Sequence, residues 1–260
     1  MLNSGITLLS PKHCFLSTFL LYEKTKKFSF WKEYLDVLPS SYENFPIFFG
    51  DKELYYLKGS PFLSKLNIII MIIEQIIEKK DDIKKDYNTI IEISKEFGEF
   101  SLKEFSEMRM AVSSRIFGIK VQGKKTDCFC PLADMLNHRR PRQTQWYFSD
   151  DLNSFIIQAV NDINVEDEIF DSYGKKCNSR FLLNYGFIVE KNDSNEFPYT
   201  VELNSSHKHY DFKFQLLNSK TTEKTFRLQT NYEEATVQEF FSFLRFINFE
   251  GGIDVLIDVS

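Results

Sequence analysis

The hydrophobic rhythm of the chain changes at Arg115, and that change limits the fold more than any single motif. Before it, apolar residues recur at the spacing of amphipathic helices; after it, they come in short β-rich runs divided by polar turns. A first helix is expected over Lys12–Lys24, KHCFLSTFLLYEK, with Phe15, Leu16, Phe19 and Leu20 on its buried stripe. WKEYLDVLP follows and stops at Pro39. Two further helices are expected, from about residue 61 to 79 and from about 82 to 97. SLKE (Ser101 to Glu104) has the form of a capping box, in which the serine caps the helix and the glutamate reaches back. The helix it opens should bury Phe105, Met108 and Val112 and end near Arg115.

Beyond that point FGIKV, CFC, WYF (Trp146 to Phe148), FIIQAV (Phe155 to Val160) and EIFDSY (Glu168 to Tyr173) read as strands. FLLNYGF begins as a helical turn and leaves through Gly186. After about Lys191 the pattern shifts again. YTVEL, HYDFKFQLL and TFRLQT read as strands, and TVQEFFSFLRFINF as a helix opened by a second capping box, Thr236 to Glu239. A second module is expected from residue 192 to 260. Helices leading into many short strands fit an α+β enzyme.

The 260 residues suffice for a substantial core, and 43% hydrophobic with 27% charged residues is the balance of a folded globular protein. A net charge of -5 gives no footing for nucleic-acid binding, and the basic run HRRPR (His138 to Arg142) reads as a solvated loop. The longest apolar run, IIIMII (Ile68 to Ile73), falls far short of the roughly 20 residues a membrane span needs. MLNSGITLLS carries no secretory signal. Cys14, Cys128, Cys130 and Cys177 do not fall in a zinc-ligand pattern, so no metal is expected and the thiols read as reduced.

Two segments carry the chemistry. DSYGKKCNSRFLLNYGF (Asp171 to Phe187) places Tyr173 and Tyr185 at either end of a polar turn and a short apolar helix, each beside a glycine. Core packing is one reading, since tyrosine buries well when its hydroxyl finds a partner. The other is that one phenol does chemistry and the second shapes a pocket. SSRIF (Ser113 to Phe117), PLADMLNH (Pro131 to His138) and DEIFDSYGKKCNSRFLLNYGF, in that order, resemble the SET-domain protein methyltransferases. The subgroup most similar is that of the Rubisco large-subunit methyltransferase, together with the actin-histidine and ribosomal-protein enzymes. FLSTFLLYEK, WKEYLDVLPSSYENFPIFF and ELYYLKGS resemble its helical insert, and the residues after 192 the start of its C-terminal substrate-binding domain.

The resemblance implies an α+β SET-domain β-fold with a pseudoknot, a helical insert over about 12–115 within residues 1–191, and a partial C-terminal module. It also implies S-adenosylmethionine as cofactor and a protein as substrate. Asn137 and His138 would line the cofactor pocket, Arg115 would sit near the cofactor carboxylate, Tyr173 would be the catalytic tyrosine, and Tyr185 would close pocket and substrate channel. Arg115 equally suits a cation at a helix C-terminus, and His138 an ordinary hydrogen-bonded histidine.

Phe117 is an aromatic residue where the lysine-directed members of the subgroup have one. An apolar ring suits a lysine stem and leaves an imidazole N–H unpartnered, at a cost of about 1–3 kcal/mol. The implied activity is therefore N-methylation of a lysine in a non-histone protein. A monomer is expected, and the lack of a targeting signal reads as cytoplasm or nucleus. A histidine methyltransferase and an inactive SET-derived binding module are the rival readings. The family's opening strand, with its glycine-bearing cofactor cradle, has no counterpart ahead of the helical region, where Gly5 stands alone. Either the sequence is part of a longer chain, or one wall of the cofactor site is expected to be missing.

Overall fold

The computed structural model describes residues 7–57, 68–217, 221–229 and 234–251. The chain forms two compact units, Met1–Leu57 with Ile72–Val189, and Lys58–Met71 with Glu190–Ser260.

The helical half of the first unit is assembled around a buried carboxylate. Asp86, 1% exposed, lies on the helix Ile68–Ile93. It accepts hydrogen bonds from the backbone N–H groups of Leu9 (2.7 Å) and Ser10 (3.2 Å), where the chain enters the helix Pro11–Thr25. It also pairs with the Arg109 guanidinium at 3.2 Å, and the same Arg109 nitrogen lies 2.7 Å from the Cys14 sulfur. These bonds fix the rotation of the first helix. Its buried face is Cys14, Ser17, Leu20 and Leu21, while Phe15, expected inside, is 59% exposed, and Leu16 and Phe19 are half-buried at the edge.

The two helices expected either side of residues 80–81 are one. Ile68–Ile93 runs unbroken through Lys79–Asp82, because nothing in KKDD stops a helix and Ile76, Ile83 and Ile90 keep one face in the core. The part expected over residues 61–67 lies outside the described residues. A 3-10 turn, Lys95–Glu99, leads to Ser101. There the capping box forms as expected: the Glu104 N–H donates to the Ser101 hydroxyl (3.2 Å) and the Ser101 N–H to the Glu104 carboxylate (2.8 Å). The helix Leu102–Arg115 buries Phe105, Met108 and Val112.

The strands follow. β1 (Phe117–Val121) pairs antiparallel with β2 (Lys124–Cys128) across Gln122 and Gly123, whose φ values of 48° and 76° make the tight turn that matches strand twist. CFC is therefore not itself a strand: β2 ends at Cys128, and Cys130 turns into a core with Phe117 and Ile119. β3 (Asn137–His138) runs parallel to β6 (Phe170–Asp171), so PLADMLNH and EIFDSY lie side by side. β4 (Thr144–Ser149) pairs antiparallel with β5 (Ser154–Ala159).

In the second unit β7 (Glu196–Glu202) pairs antiparallel with β8 (Glu223–Gln229) over a core of Leu203, Phe226, Phe243 and Ile247. HYDFKFQLL, expected as a strand, holds the helix Tyr210–Leu216. Its apolar residues satisfy both periods, and burial of Lys213 decides between them. Lys213 Nζ donates to the carbonyls of Ile247 (3.0 Å) and Phe249 (2.7 Å) at the end of the helix Glu234–Asn248. That last helix includes Glu234, so Thr236 lies inside its first turn and the second capping box does not form. Among the described residues no helix is long and apolar enough to cross a membrane.

Candidate active site

Two cavities in the first unit share a wall. The larger, about 450 Å³, is lined by Phe117, Trp146, Arg142 and Lys176. The smaller, about 240 Å³, is lined by Tyr42, Asn44, Asn137 and Phe187. Ser114, Arg115, Asp134, Tyr173 and Tyr185 line both.

Arg115 reaches the wall because it is the last residue of a helix whose start is pinned by the capping box. Its guanidinium donates to the Asp134 carbonyl at 3.1 Å and faces that residue's carboxylate at 3.4 Å. Asp134 sits on the 3-10 turn Ala133–Met135 and accepts from the Tyr34 hydroxyl at 2.5 Å. Burial pushes the Asp134 carboxyl above the usual carboxylate range, although Tyr34 and Arg115 pull the other way. Its second oxygen, Oδ1, is buried without a partner among the described residues.

Tyr173 follows β6. Its backbone N–H donates to His138 Nδ1 at 3.0 Å and its hydroxyl to the Leu136 carbonyl at 2.7 Å, so both ends are tied to the PLADMLNH segment. Burial pushes the phenol up to about 12, so it stays protonated at neutral pH. With its proton committed to Leu136, the hydroxyl can offer lone pairs to a group in the cavity. The Tyr185 ring stacks on it, centroids 5.0 Å apart and planes 24° apart, and burial raises the Tyr185 phenol too. Lys176 Nζ donates to the Tyr173 carbonyl and lies 5.7 Å from the centre of the Tyr185 ring.

His138 lines neither cavity. Its ring packs 4.8 Å from Phe181 and 5.2 Å from Tyr173, and an Nδ1 that accepts the Tyr173 N–H belongs to a neutral imidazole. Burial, then Arg140 and Lys176, lower its pKa. Asn137 does line the smaller cavity, where its amide donates to Glu168 at 2.7 Å. Phe117 is held edge-on by Trp146 (5.1 Å) and Phe155 (5.0 Å) in the larger cavity. Of the residues singled out in the sequence, Arg115, Tyr173 and Tyr185 form the shared wall, Phe117 and Asn137 lie one on each side, and His138 stands behind.

Three further residues hold the site. Asp134, within PLADMLNH, is the partner of Arg115. Lys79 donates to the Leu183 carbonyl (3.0 Å) and the Asn184 side chain (2.9 Å), closing the C-terminal end of the helix Asn178–Tyr185. Asn44 donates to the Gly186 carbonyl at 3.0 Å. Lys79 and Asn44 are more than 100 residues from their partners, and no local pattern marks them.

No protein-family model matches the chain. It is 25% identical over 228 residues to the chloroplastic [fructose-bisphosphate aldolase]-lysine N-methyltransferase of Arabidopsis thaliana, covering 81% of this chain and 44% of that protein. It is 25% identical over 213 residues to the human actin-histidine N-methyltransferase, covering 78% of this chain and 34% of that protein. The chain thus spans less than half the length of these relatives. Among solved structures it is similar to the SET domain of LSMT bound to MeLysine and AdoHcy, with a TM-score of 0.69 and 20% identity over 94% of this chain and 56% of that one. It is also similar to Rubisco LSMT bound to AdoMet, with a TM-score of 0.65 and 21% identity over 94% of this chain and 55% of that one. The fold is that of the SET domain.

Proposed function

We propose that the chain acts in S-adenosylmethionine-dependent protein-lysine N-methylation, the smaller cavity taking the cofactor and the larger the acceptor lysine. The observation that carries this reading is the shared wall. Arg115, Tyr173 and Tyr185 face both chambers, as a reaction that moves one carbon between two separately bound molecules requires.

The donor set of the smaller cavity fits an amino-acid zwitterion. The Arg115 guanidinium suits a carboxylate, and the unpartnered Asp134 Oδ1 suits an ammonium. Phe187 offers an apolar face and Asn137 an amide for a heterocycle. The bound cofactor would supply a methyl group already activated on a sulfonium. The chain's own work is positioning. Phe117 and Trp146 enclose an alkyl stem, and the Tyr173–Tyr185 stack fixes both rings in the shared wall. The Tyr173 hydroxyl orients the nitrogen through its lone pairs and, kept protonated by burial, does not act as the base. The acceptor ammonium, with an unperturbed pKa of about 10.4, sheds its proton to solvent before transfer. Residues 192–260 would begin a module that holds the substrate protein, and a histidine acceptor would leave an imidazole N–H facing the Phe117 ring.

Calorimetric titration with S-adenosylmethionine, followed by methyl transfer with Tyr173→Phe, tests the proposal. Micromolar binding is expected, and loss of roughly 10²–10³-fold in turnover with binding retained. A folded chain that binds no cofactor would instead be a binding module.

A further inference from the structure

The basic run HRRPR, which reads in the sequence as a solvated loop, ends on the larger cavity: Arg142 lines it and is itself exposed. Lys176 lines the same cavity, and Lys175 beside it is exposed. Arg139 is exposed as well, its guanidinium 5.3 Å from the centre of the Phe170 ring. The charged residues lining the chamber are the cations Arg115, Arg142 and Lys176 and the carboxylates Asp134 and Asp171. Both carboxylates are buried: one oxygen of Asp134 is held by Tyr34 and Arg115, and Asp171 accepts from the Thr144 hydroxyl at 3.1 Å. Arg142 is thus the exposed charge among the lining residues, on a chain whose net charge is -5.

We propose that this rim selects an acceptor lysine set in an acidic segment, whose Asp or Glu side chains pair with Arg142 and the neighbouring cations. The inference rests on the lysine-methyltransferase reading and names its substrate class. A lysine ammonium approaching alone meets like charge at the entrance, and carboxylates within a few residues of it reverse the sign of that encounter. Acidic flanks thus bring the residue to the chamber.

The test compares two labelled peptides with one central lysine, flanked by glutamates or by glutamines, by fluorescence anisotropy without cofactor. The acidic peptide is expected to bind about fivefold or more tightly at low salt, with the preference shrinking as ionic strength rises. Arg142→Glu should abolish the preference without changing calorimetric affinity for S-adenosylmethionine. Equal binding, no binding of either peptide, preference for glutamine, or a preference untouched by Arg142→Glu each overturns the proposal. Tighter binding of a labelled single-stranded RNA than of the acidic peptide overturns it as well and assigns the rim to phosphate. Methyl transfer to a lysine-centred peptide library separates this inference from the reading beneath it. Transfer with no acidic bias sinks the rim and keeps the enzyme. Preferential binding without transfer keeps the rim and sinks the enzyme.

Discussion

Replacing Gly186 with alanine probes how tightly the site is built. Gly186 ends the helix that carries Tyr185 at φ 74°, and a Cβ there would lie 2.5 Å from the Asn44 amide nitrogen and 3.0 Å from a ring carbon of Phe45. Left-handed backbone costs a residue with a Cβ about 1–2 kcal/mol. Lower entropy of the unfolded chain returns about 0.4–1 kcal/mol. Asn44 is exposed and can swing away, giving up its bond to the Gly186 carbonyl at about 0.5–1.5 kcal/mol. Phe45 is 4% exposed and cannot, so crowding against it adds about 1–3 kcal/mol. Together these give roughly 4 kcal/mol. Gly123 supplies the control. It sits at φ 76° with nothing within 4 Å of an added Cβ, so alanine there should cost only the backbone strain, roughly 1 kcal/mol net. Denaturant unfolding of both variants, with calorimetric titration of the cofactor, reads the difference. Only Gly186→Ala should weaken cofactor binding, because it displaces Tyr185 and Phe187 on either side. Equal destabilisation by the two substitutions would refute the argument that the surroundings of Gly186, and not its φ alone, hold the site.

Asp86→Ala leaves the Arg109 guanidinium buried without its carboxylate and frees the entry to the first helix, so a loss of about 3–5 kcal/mol is expected by denaturant unfolding. A loss under about 1 kcal/mol would mean the pair contributes nothing net. The lowered pKa of His138 means that below its ordinary value of 6.5 the unfolded chain takes up a proton that the folded chain resists. This contribution to stability is therefore present above pH 6.5 and declines as pH falls below it. Arg140 and Lys176 reinforce the effect and Asp171 opposes it, and His138→Gln should flatten that part of the stability–pH curve. Lys79→Met keeps the apolar stem but removes both bonds to the end of the Asn178–Tyr185 helix. Hydrogen exchange at residues 183–186 should quicken about tenfold while global stability changes little; unchanged exchange would assign the cap to Gly186 alone.

Local features are legible in the order of the amino acids alone. The capping box at Ser101, the end of that helix at Arg115, the strand runs at Trp146 and Phe155, and the glycine exit at Gly186 all rest on bonds or φ values within a few residues. Such features are legible because short-range sterics and hydrogen bonding set them. The pseudoknot is implied only by resemblance, and in the structure β3 of PLADMLNH pairs with β6 of EIFDSY. Tertiary structure decided the rest. Which way the first helix turns depends on a carboxylate 72 positions from Cys14, and Phe15 faces outward in consequence. HYDFKFQLL carries both an alternating and a helical pattern, and the buried Lys213 bonded to Ile247 and Phe249 selects the helix. The capping of the Tyr185 helix by Lys79 and the arrival of Arg142 at the larger cavity are likewise absent from any local window. For Asp86 and Lys213 one cause is shared. A buried charge must find its partner wherever the fold brings one, and neither burial nor that partner is a property of neighbouring residues.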